Sequence, residues 1–124
     1  MKCVLRSGDG RALFVRHHYG KRHEWELPGG GAHRGEGNAQ AARREAREEL
    51  GADVAAWEDL GTIVGYWYGK DEELSVCAAS WPGGAVRPDP VEIAAFAWFS
   101  LDAPPSPLGP TTTAALRVLR SDDA

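Results

Sequence analysis

The sequence is short of the features that mark membrane, secreted and nucleic-acid-binding proteins. Among its 124 residues are only two cysteines, Cys3 and Cys77, and the formal net charge is −4. No apolar run reaches the roughly 18 residues that a transmembrane helix needs, and no basic and hydrophobic leader opens the chain. Both cysteines lie in apolar, strand-like segments, which favours free buried thiols and a cytoplasmic protein. The negative charge disfavours a nucleic-acid polymer as partner.

The composition predicts one globular domain over residues 1–124. Hydrophobic residues make up 43% of the chain and charged residues 26%, as in ordinary soluble domains. Apolar periodicity and turn residues predict a mixed β-sheet and two helices. The helices are expected at 38–50, capped by Gly37 or Asn38, and from Thr111 or Thr112 to about Arg120. The strands are expected at 2–7, 11–17, 23–27, 59–68, 73–81 and 94–100, with a turn at 69–71 between the fourth and fifth.

The first helix carries an unusual concentration of acid. At 3.6 residues per turn, Glu45, Glu48 and Glu49 fall within an arc of about 100° on one face. Glu45 and Glu49 repel as a like-charged i,i+4 pair. Glu48 and Glu49 also lie at the negative end of the helix dipole, just before the expected C-terminal Gly51. A cation would offset both costs, and carboxylates favour Mg²⁺, with Mn²⁺ as an alternative. A solvated helix with acid–arginine pairs is the other explanation.

The residues around this helix resemble the signature of the Nudix (MutT-like) hydrolases, G-x5-E-x7-R-E-U-x-E-E-x-G-U, in which U is a bulky apolar residue. Ala46 and Ala52 occupy the two U positions and are smaller than usual. The resemblance implies an α+β Nudix fold, an α/β/α sandwich with a mixed sheet and a loop–helix–loop. All fixed positions are filled, by Gly30, Glu36, Arg44, Glu45, Glu48, Glu49 and Gly51.

The resemblance also implies roles for these residues. Glu45, Glu48 and Glu49 would hold the metal through their side chains and Gly30 through its carbonyl oxygen. Glu36 and Arg44 would form a scaffolding salt bridge, and Gly51 would end the helix. The general base is open, because family members use either a glutamate of the signature or one from a later loop. The candidates are Glu48, Glu45 and Glu92, with Asp89 as a neighbour that could substitute for Glu92.

Other candidates for substrate binding lie outside the signature. Arg16, Lys21 and Arg22 flank the strand that leads to the glycine loop (residues 29–31) and could reach phosphates. Tyr68 could stack on a base or ring. The four histidines, at 17, 18, 23 and 33, do not form a zinc pattern, because no cysteine lies at ligand spacing. We expect them in loops and at strand ends.

These features predict a Mg²⁺-dependent hydrolase. Its substrate would be a nucleoside diphosphate linked to another moiety, first of all a nucleoside triphosphate that yields a nucleoside monophosphate. Hydrolysis of ADP-ribose or of a dinucleoside polyphosphate is an alternative substrate assignment. A Nudix-fold nucleotide-binding or regulatory module without turnover is an alternative of another class, and so is a structural domain with a coincidentally acidic helix. Homodimers are frequent in this family, and one is possible here.

Overall fold

Five strands form one mixed sheet. The computed structural model describes residues 1–21 and 23–123, with side chains for 1–21 and 23–120. Along the sheet the strands follow the order β3-β4-β1-β2-β5, in which β1 and β4 are parallel and the other neighbours antiparallel. The strands are β1 (Lys2–Arg6), β2 (Arg11–His17), β3 (Glu58–Trp67), β4 (Lys70–Ser80) and β5 (Ile93–Ser100).

One helix covers each face of the sheet, which confirms the predicted α/β/α sandwich. Strand residues alternate between the two faces because successive side chains point to opposite sides. Helix α1 (Asn38–Leu50) packs Ala46 and Leu50 against Leu5 and Leu13. Helix α2 (Pro110–Asp123) packs against the opposite face, where its core partners include Val4, Phe14, Leu27 and Val76. Among the described residues, no helix is long and apolar enough to cross a membrane.

The predicted strand at 23–27 is wrong, and the reason determines where the glycine loop lies. Strands β1 and β2 pair only at Arg6 and Ala12 and then diverge. The following segment lies in the gap, where Glu26 and Val15 exchange two backbone hydrogen bonds of 2.8 Å and the Cys3 N–H donates to Pro28 O at 2.8 Å. Only isolated bridges form, because the segment crosses between two strands instead of following one. The glycine loop is thereby held in the middle of the sheet.

Two smaller predictions also need correction. The hairpin between β3 and β4 turns at Tyr68 and Gly69, with φ of 54° and 81°, and not at 69–71. A two-residue turn with positive φ at both positions suits the twist of a hairpin, and here a tyrosine adopts that conformation. Helix α2 begins at Pro110, before the predicted threonine caps. Proline suits a first helical position because its missing N–H has no helical partner there.

Cys3 and Cys77 are free and buried, as predicted. They are paired residues of the neighbouring strands β1 and β4. Burial raises the pKa of the Cys3 thiol well above its ordinary range and that of Cys77 to about 11. Both thiols are therefore protonated at neutral pH and act as small core residues.

Helix α1 ends at Gly51 in the left-handed conformation, with φ of 69°. A Cβ atom there would lie 2.9 Å from the Cβ of Arg87 and 3.0 Å from its carbonyl oxygen. We expect Gly51→Ala to lower the free energy of unfolding by about 1–2 kcal/mol, from the backbone conformation alone. Urea unfolding measures the change. Gly8→Ala is the control, because open space surrounds Gly8 and its φ is not positive. Equal midpoints for the two variants would contradict this account.

Candidate active site

The glycine loop brings the backbone of residues 29–31 against the acidic face of α1. Glu49 is 3% exposed, and its Oε2 accepts a hydrogen bond of 3.1 Å from the Gly29 N–H. Glu45 is 8% exposed. A Cβ atom on Gly30 would lie 2.6 Å from Glu45 Oε1, so any larger residue there would displace the Glu45 carboxylate. Two carboxylates of one helix are therefore buried beside the same loop.

Burying these two acids together is costly without a cation. Burial is the main cause that raises the pKa of the Glu45 carboxyl, and the charge of Glu49 raises it further. Hydrogen bonding to Arg44 acts in the opposite direction and only partly compensates. The donors at this point are hard carboxylate oxygens beside an accessible backbone loop, a set that suits a divalent cation.

Glu48 differs from its two neighbours. Its side chain is 57% exposed and contacts Arg44 Nη1 at 3.2 Å. Across the described part of the chain, no three His, Cys, Asp or Glu side chains are arranged as a ready group for a metal ion. The helical face is the predicted one, but only Glu45 and Glu49 turn inward from it.

Arg44 ties the loop to the helix. Its Nε and Nη2 donate to the two oxygens of Glu36 at 2.8 and 2.9 Å, a bidentate pair. Nη2 also donates to Gly31 O at 2.9 Å, and Nη1 donates to Glu45 Oε1 at 3.0 Å. One guanidinium thus holds the turn before the helix, the glycine loop and a buried carboxylate. The geometry matches the predicted pairing of Glu36 with Arg44.

This ion pair predicts a pH dependence. Arg44 lowers the pKa of Glu36 from an ordinary 4.5 to about 2, with help from the His33 N–H. Because the folded pKa is depressed, the pair stabilises the fold fully above about pH 4.5 and loses this contribution as the pH falls towards 2. We expect the stability difference between the wild type and Glu36→Gln to shrink over that interval. Urea unfolding at several pH values measures it, and a constant difference would contradict the prediction.

A cavity of about 800 Å³ opens beside the glycine loop. Tyr68, on the β3–β4 hairpin, is a lining residue and is 56% exposed. Tyr19 is 54% exposed and lies on another part of the wall. The remaining polar lining residues include Lys2, His17, Lys21, Glu26, Glu72, Glu73 and Thr111.

Two other predicted substrate-binding residues fall elsewhere. Arg16 is not among the lining residues of the cavity. Its guanidinium carbon lies 4.9 Å from the ring centroid of Trp25, and its buried Nε has no hydrogen-bond partner within the described part of the chain. Arg22 lies outside the described residues.

Glu92 lies in the loop before β5, as predicted, and is half-buried. Its carbonyl accepts from the His18 N–H at 3.0 Å. The pKa of Tyr19 is raised mainly by burial and next by the negative charge of Glu92. The same loop is fixed to the end of α1, where the Asp89 N–H donates to Glu49 O at 2.8 Å. The late loop is therefore held next to the acidic end of the helix.

The lining residues that were not singled out from the sequence include Lys2, Glu26 and His17. The sequence did contain a signal for His17. Leu13, Val15 and His17 are spaced two residues apart in β2, which places all three side chains on the face of the sheet that α1 covers. No comparable signal existed for Glu26, because it lies in the segment that crosses between strands. The position of Lys2 depends on that segment as well.

The mixed sheet, its two helices and the acid-bearing glycine loop define a Nudix-type α/β/α protein. A family model described as the NUDIX domain matches residues 1–120, so the chain belongs to the Nudix family. This confirms the predicted family and the assignment as a Nudix hydrolase. Nudix hydrolases use divalent metal ions, and structural neighbours of this chain act on nucleotide derivatives.

Solved structures agree with this membership. The MutT NUDIX hydrolase of Burkholderia pseudomallei is 28% identical, with a TM-score of 0.78 over 95% of this chain and 97% of the other. The MutT protein of Methanosarcina mazei Go1 is 22% identical and shares the fold, with a TM-score of 0.81 over 99% and 93% of the two chains.

A curated relative matches over a shorter region. The low-salt glycan biosynthesis protein Agl8 of Haloferax volcanii is 37% identical over 70 residues, which are 56% of this chain and 45% of that protein. The match therefore spans less than half of the relative's length.

Proposed function

We propose that this Nudix hydrolase is Mg²⁺-dependent and cleaves a diphosphate bond in a nucleoside diphosphate linked to another moiety. A nucleoside triphosphate is the first candidate, with a nucleoside monophosphate as product. The observation that carries the proposal is the buried pair Glu45 and Glu49, which lies behind the Gly29–Gly31 loop. The loop itself lines a cavity of about 800 Å³. That volume suits a nucleotide-sized ligand.

The metal would be held by residues of α1 and of the glycine loop. We assign Glu45 and Glu49 as ligands, with Glu48 joining them after release from Arg44 and with the Gly30 carbonyl as a backbone donor. Mn²⁺ could replace Mg²⁺, since both take oxygen ligands. When bound, such an ion neutralises phosphate charge and lowers the pKa of a water ligand.

The remaining chemistry belongs to the chain itself. A water oxygen attacks one phosphorus, the bond from that phosphorus to the bridging oxygen breaks, and a carboxylate accepts the proton of the water. Glu48, Glu45 and Glu92 are the candidate bases. Glu92 is supported by its loop, which is anchored on the end of α1. Tyr68, exposed on the cavity wall, would contact the base or a second moiety.

A nucleotide screen tests the proposal. Purified protein is incubated with nucleoside triphosphates, ADP-ribose, nucleotide sugars and dinucleoside polyphosphates, with Mg²⁺ or with EDTA, and the products are identified by mass spectrometry. We expect a nucleoside monophosphate only when Mg²⁺ is present. A parallel thermal unfolding series should show stabilisation by the ion. Stabilisation by a nucleotide without any product would favour the binding module. If neither stabilisation nor product were observed, the structural domain would be the remaining explanation.

We also propose a cytoplasmic location, which the two free buried thiols support. Cell fractionation with an antibody against the protein tests it, and recovery from an extracytoplasmic fraction would contradict it. Analytical ultracentrifugation tests the homodimer that the family resemblance suggested, and a monomer at all concentrations would contradict it.

A further inference from the structure

His17 occupies a position that the proposed mechanism does not use. It is the last residue of β2 and is 9% exposed. The pairing with β5 shifts there, from Arg16 with Ala95 to His17 with Ile93. Such irregularities often re-aim a side chain next to an active site. The ring of Tyr19 lies against the imidazole, with 4.9 Å between the centroids.

The imidazole lies between two carboxylates without a hydrogen bond to either. Its Nε2 is 3.7 Å from Glu49 Oε1, and its Nδ1 is 3.8 Å from Glu26 Oε2. Nε2 is buried and has no hydrogen-bond partner among the residues that the structure describes. A buried polar atom left unpaired costs about 1–3 kcal/mol, so this placement needs a compensating interaction.

We propose that His17 Nε2 is a ligand of the divalent metal, bound next to Glu49. Two donors at about 2.1 Å from one ion lie roughly 3.0 Å apart at right angles and roughly 3.4 Å apart at tetrahedral angles. The observed 3.7 Å between Nε2 and Glu49 Oε1 needs only a small side-chain adjustment to reach that separation. The inference rests on the proposed function, because it places the ion at Glu49.

Glu26 fits the second half of this arrangement. Metal-bound histidines commonly donate their other ring N–H to a carboxylate, which fixes the tautomer. Glu26 lies on the Nδ1 side, and Lys2 Nζ holds the same Oε2 at 3.5 Å. In this arrangement Nδ1 donates to Glu26, and Nε2 binds the metal beside Glu49, so both ring nitrogens have a partner. The competing explanation is an imidazolium that contacts both acids and no metal.

A nitrogen ligand changes which ions the site prefers. Imidazole favours transition metals, whereas carboxylate and carbonyl oxygens favour Mg²⁺. The site should therefore bind Mn²⁺ and Co²⁺ more tightly relative to Mg²⁺ than an all-oxygen site would. His17→Gln should weaken Mn²⁺ binding by about tenfold or more and Mg²⁺ binding by less.

Pulsed electron paramagnetic resonance of Mn²⁺ bound to the intact protein tests the ligand directly. We expect a ¹⁴N modulation from a coordinated imidazole, converted to a ¹⁵N signal when histidine is labelled with ¹⁵N. A variant with His18, His23 and His33 all changed to Gln should keep the signal, because the proposed ligand is unchanged. His17 is then the only histidine left, so the signal is assigned to it. His17→Gln should lose it while still binding Mn²⁺ weakly. The triple variant assigns the signal even if His17→Gln fails to fold.

The outcomes separate this inference from the proposed function. Bound Mn²⁺ without a nitrogen signal in the wild type would overturn the role of His17 and leave the carboxylate site intact. A signal that disappears in the triple variant would also overturn it. Failure of the protein to bind either Mn²⁺ or Mg²⁺ would overturn the proposed function itself. His18→Gln is the matched single control, since His18 is the exposed neighbour and should leave the affinity ratio unchanged.

Discussion

Glu49→Gln is expected to lower metal-dependent turnover severely and leave the fold intact. Glutamine keeps the size of the side chain, and its amide oxygen can still accept from the Gly29 N–H, which Glu49 Oε2 does at 3.1 Å. It removes the charge that would bind the ion. Losing about 4 kcal/mol of electrostatic stabilisation corresponds to a decrease in kcat/KM of about 10³-fold. Steady-state kinetics on whichever substrate the nucleotide screen identifies measures the effect.

The same variant should not be less stable than the wild type when no metal is present. Glu45 and Glu49 repel each other, and the charge of Glu49 helps to raise the pKa of Glu45. Removing one charge relieves that repulsion. Glu58→Gln is the matched control, because Glu58 is exposed at the start of β3. Turnover of Glu49→Gln within about threefold of the control, a difference below 1 kcal/mol, would contradict the assignment.

Arg44→Ala is expected to have the second largest effect, a decrease in kcat/KM of about 10²-fold, as when supporting partners of metal ligands are removed. The variant would lose both hydrogen bonds to Glu36 and the bond of 2.9 Å to Gly31 O. It would also free Glu45 Oε1, which accepts from Arg44 at 3.0 Å. The glycine loop and a proposed ligand would then lose their common support. Kinetics and metal titration by calorimetry measure both consequences.

Arg43→Ala provides a stringent control on the same helix. Arg43 also forms a bidentate ion pair, with Asp53 at 2.7 and 2.9 Å, but both side chains are about half-exposed. Exposed pairs contribute at most about 1 kcal/mol. Arg44→Lys completes the series, because lysine keeps the charge and loses the planar fork. If Arg43→Ala and Arg44→Ala impaired turnover equally, the supporting role of Arg44 would be wrong.

The sequence predicted what depends on spacing along one element. Helix α1 and its acidic face follow from a period of 3.6 residues, and the pairing of Glu36 with Arg44 is the geometry that the family resemblance implied. Most strand limits follow from apolar alternation between turn residues. These features need no knowledge of which elements are neighbours in space.

The rest depends on long-range pairing. Residues 23–27 alternate as a strand does, but β1 and β2 diverge around this segment, which bridges β2 at Glu26 and β1 only further on, at Gly29. The turn at Tyr68 requires a left-handed tyrosine, which local preference disfavours. His17 lies within reach of Glu49 and Glu26 only because three separate segments meet. A single sequence contains no direct signal for such encounters.

The placement of residues 26–29 between β1 and β2 limits which parts of the cavity substitutions can reshape. The floor of the cavity shares its backbone hydrogen bonds with the centre of the sheet, so it cannot open without breaking interior pairing. The rim, in contrast, consists of a hairpin tip and surface loops. Substitutions on the rim, such as those at Tyr68, can therefore reshape the cavity while the backbone of its floor stays fixed.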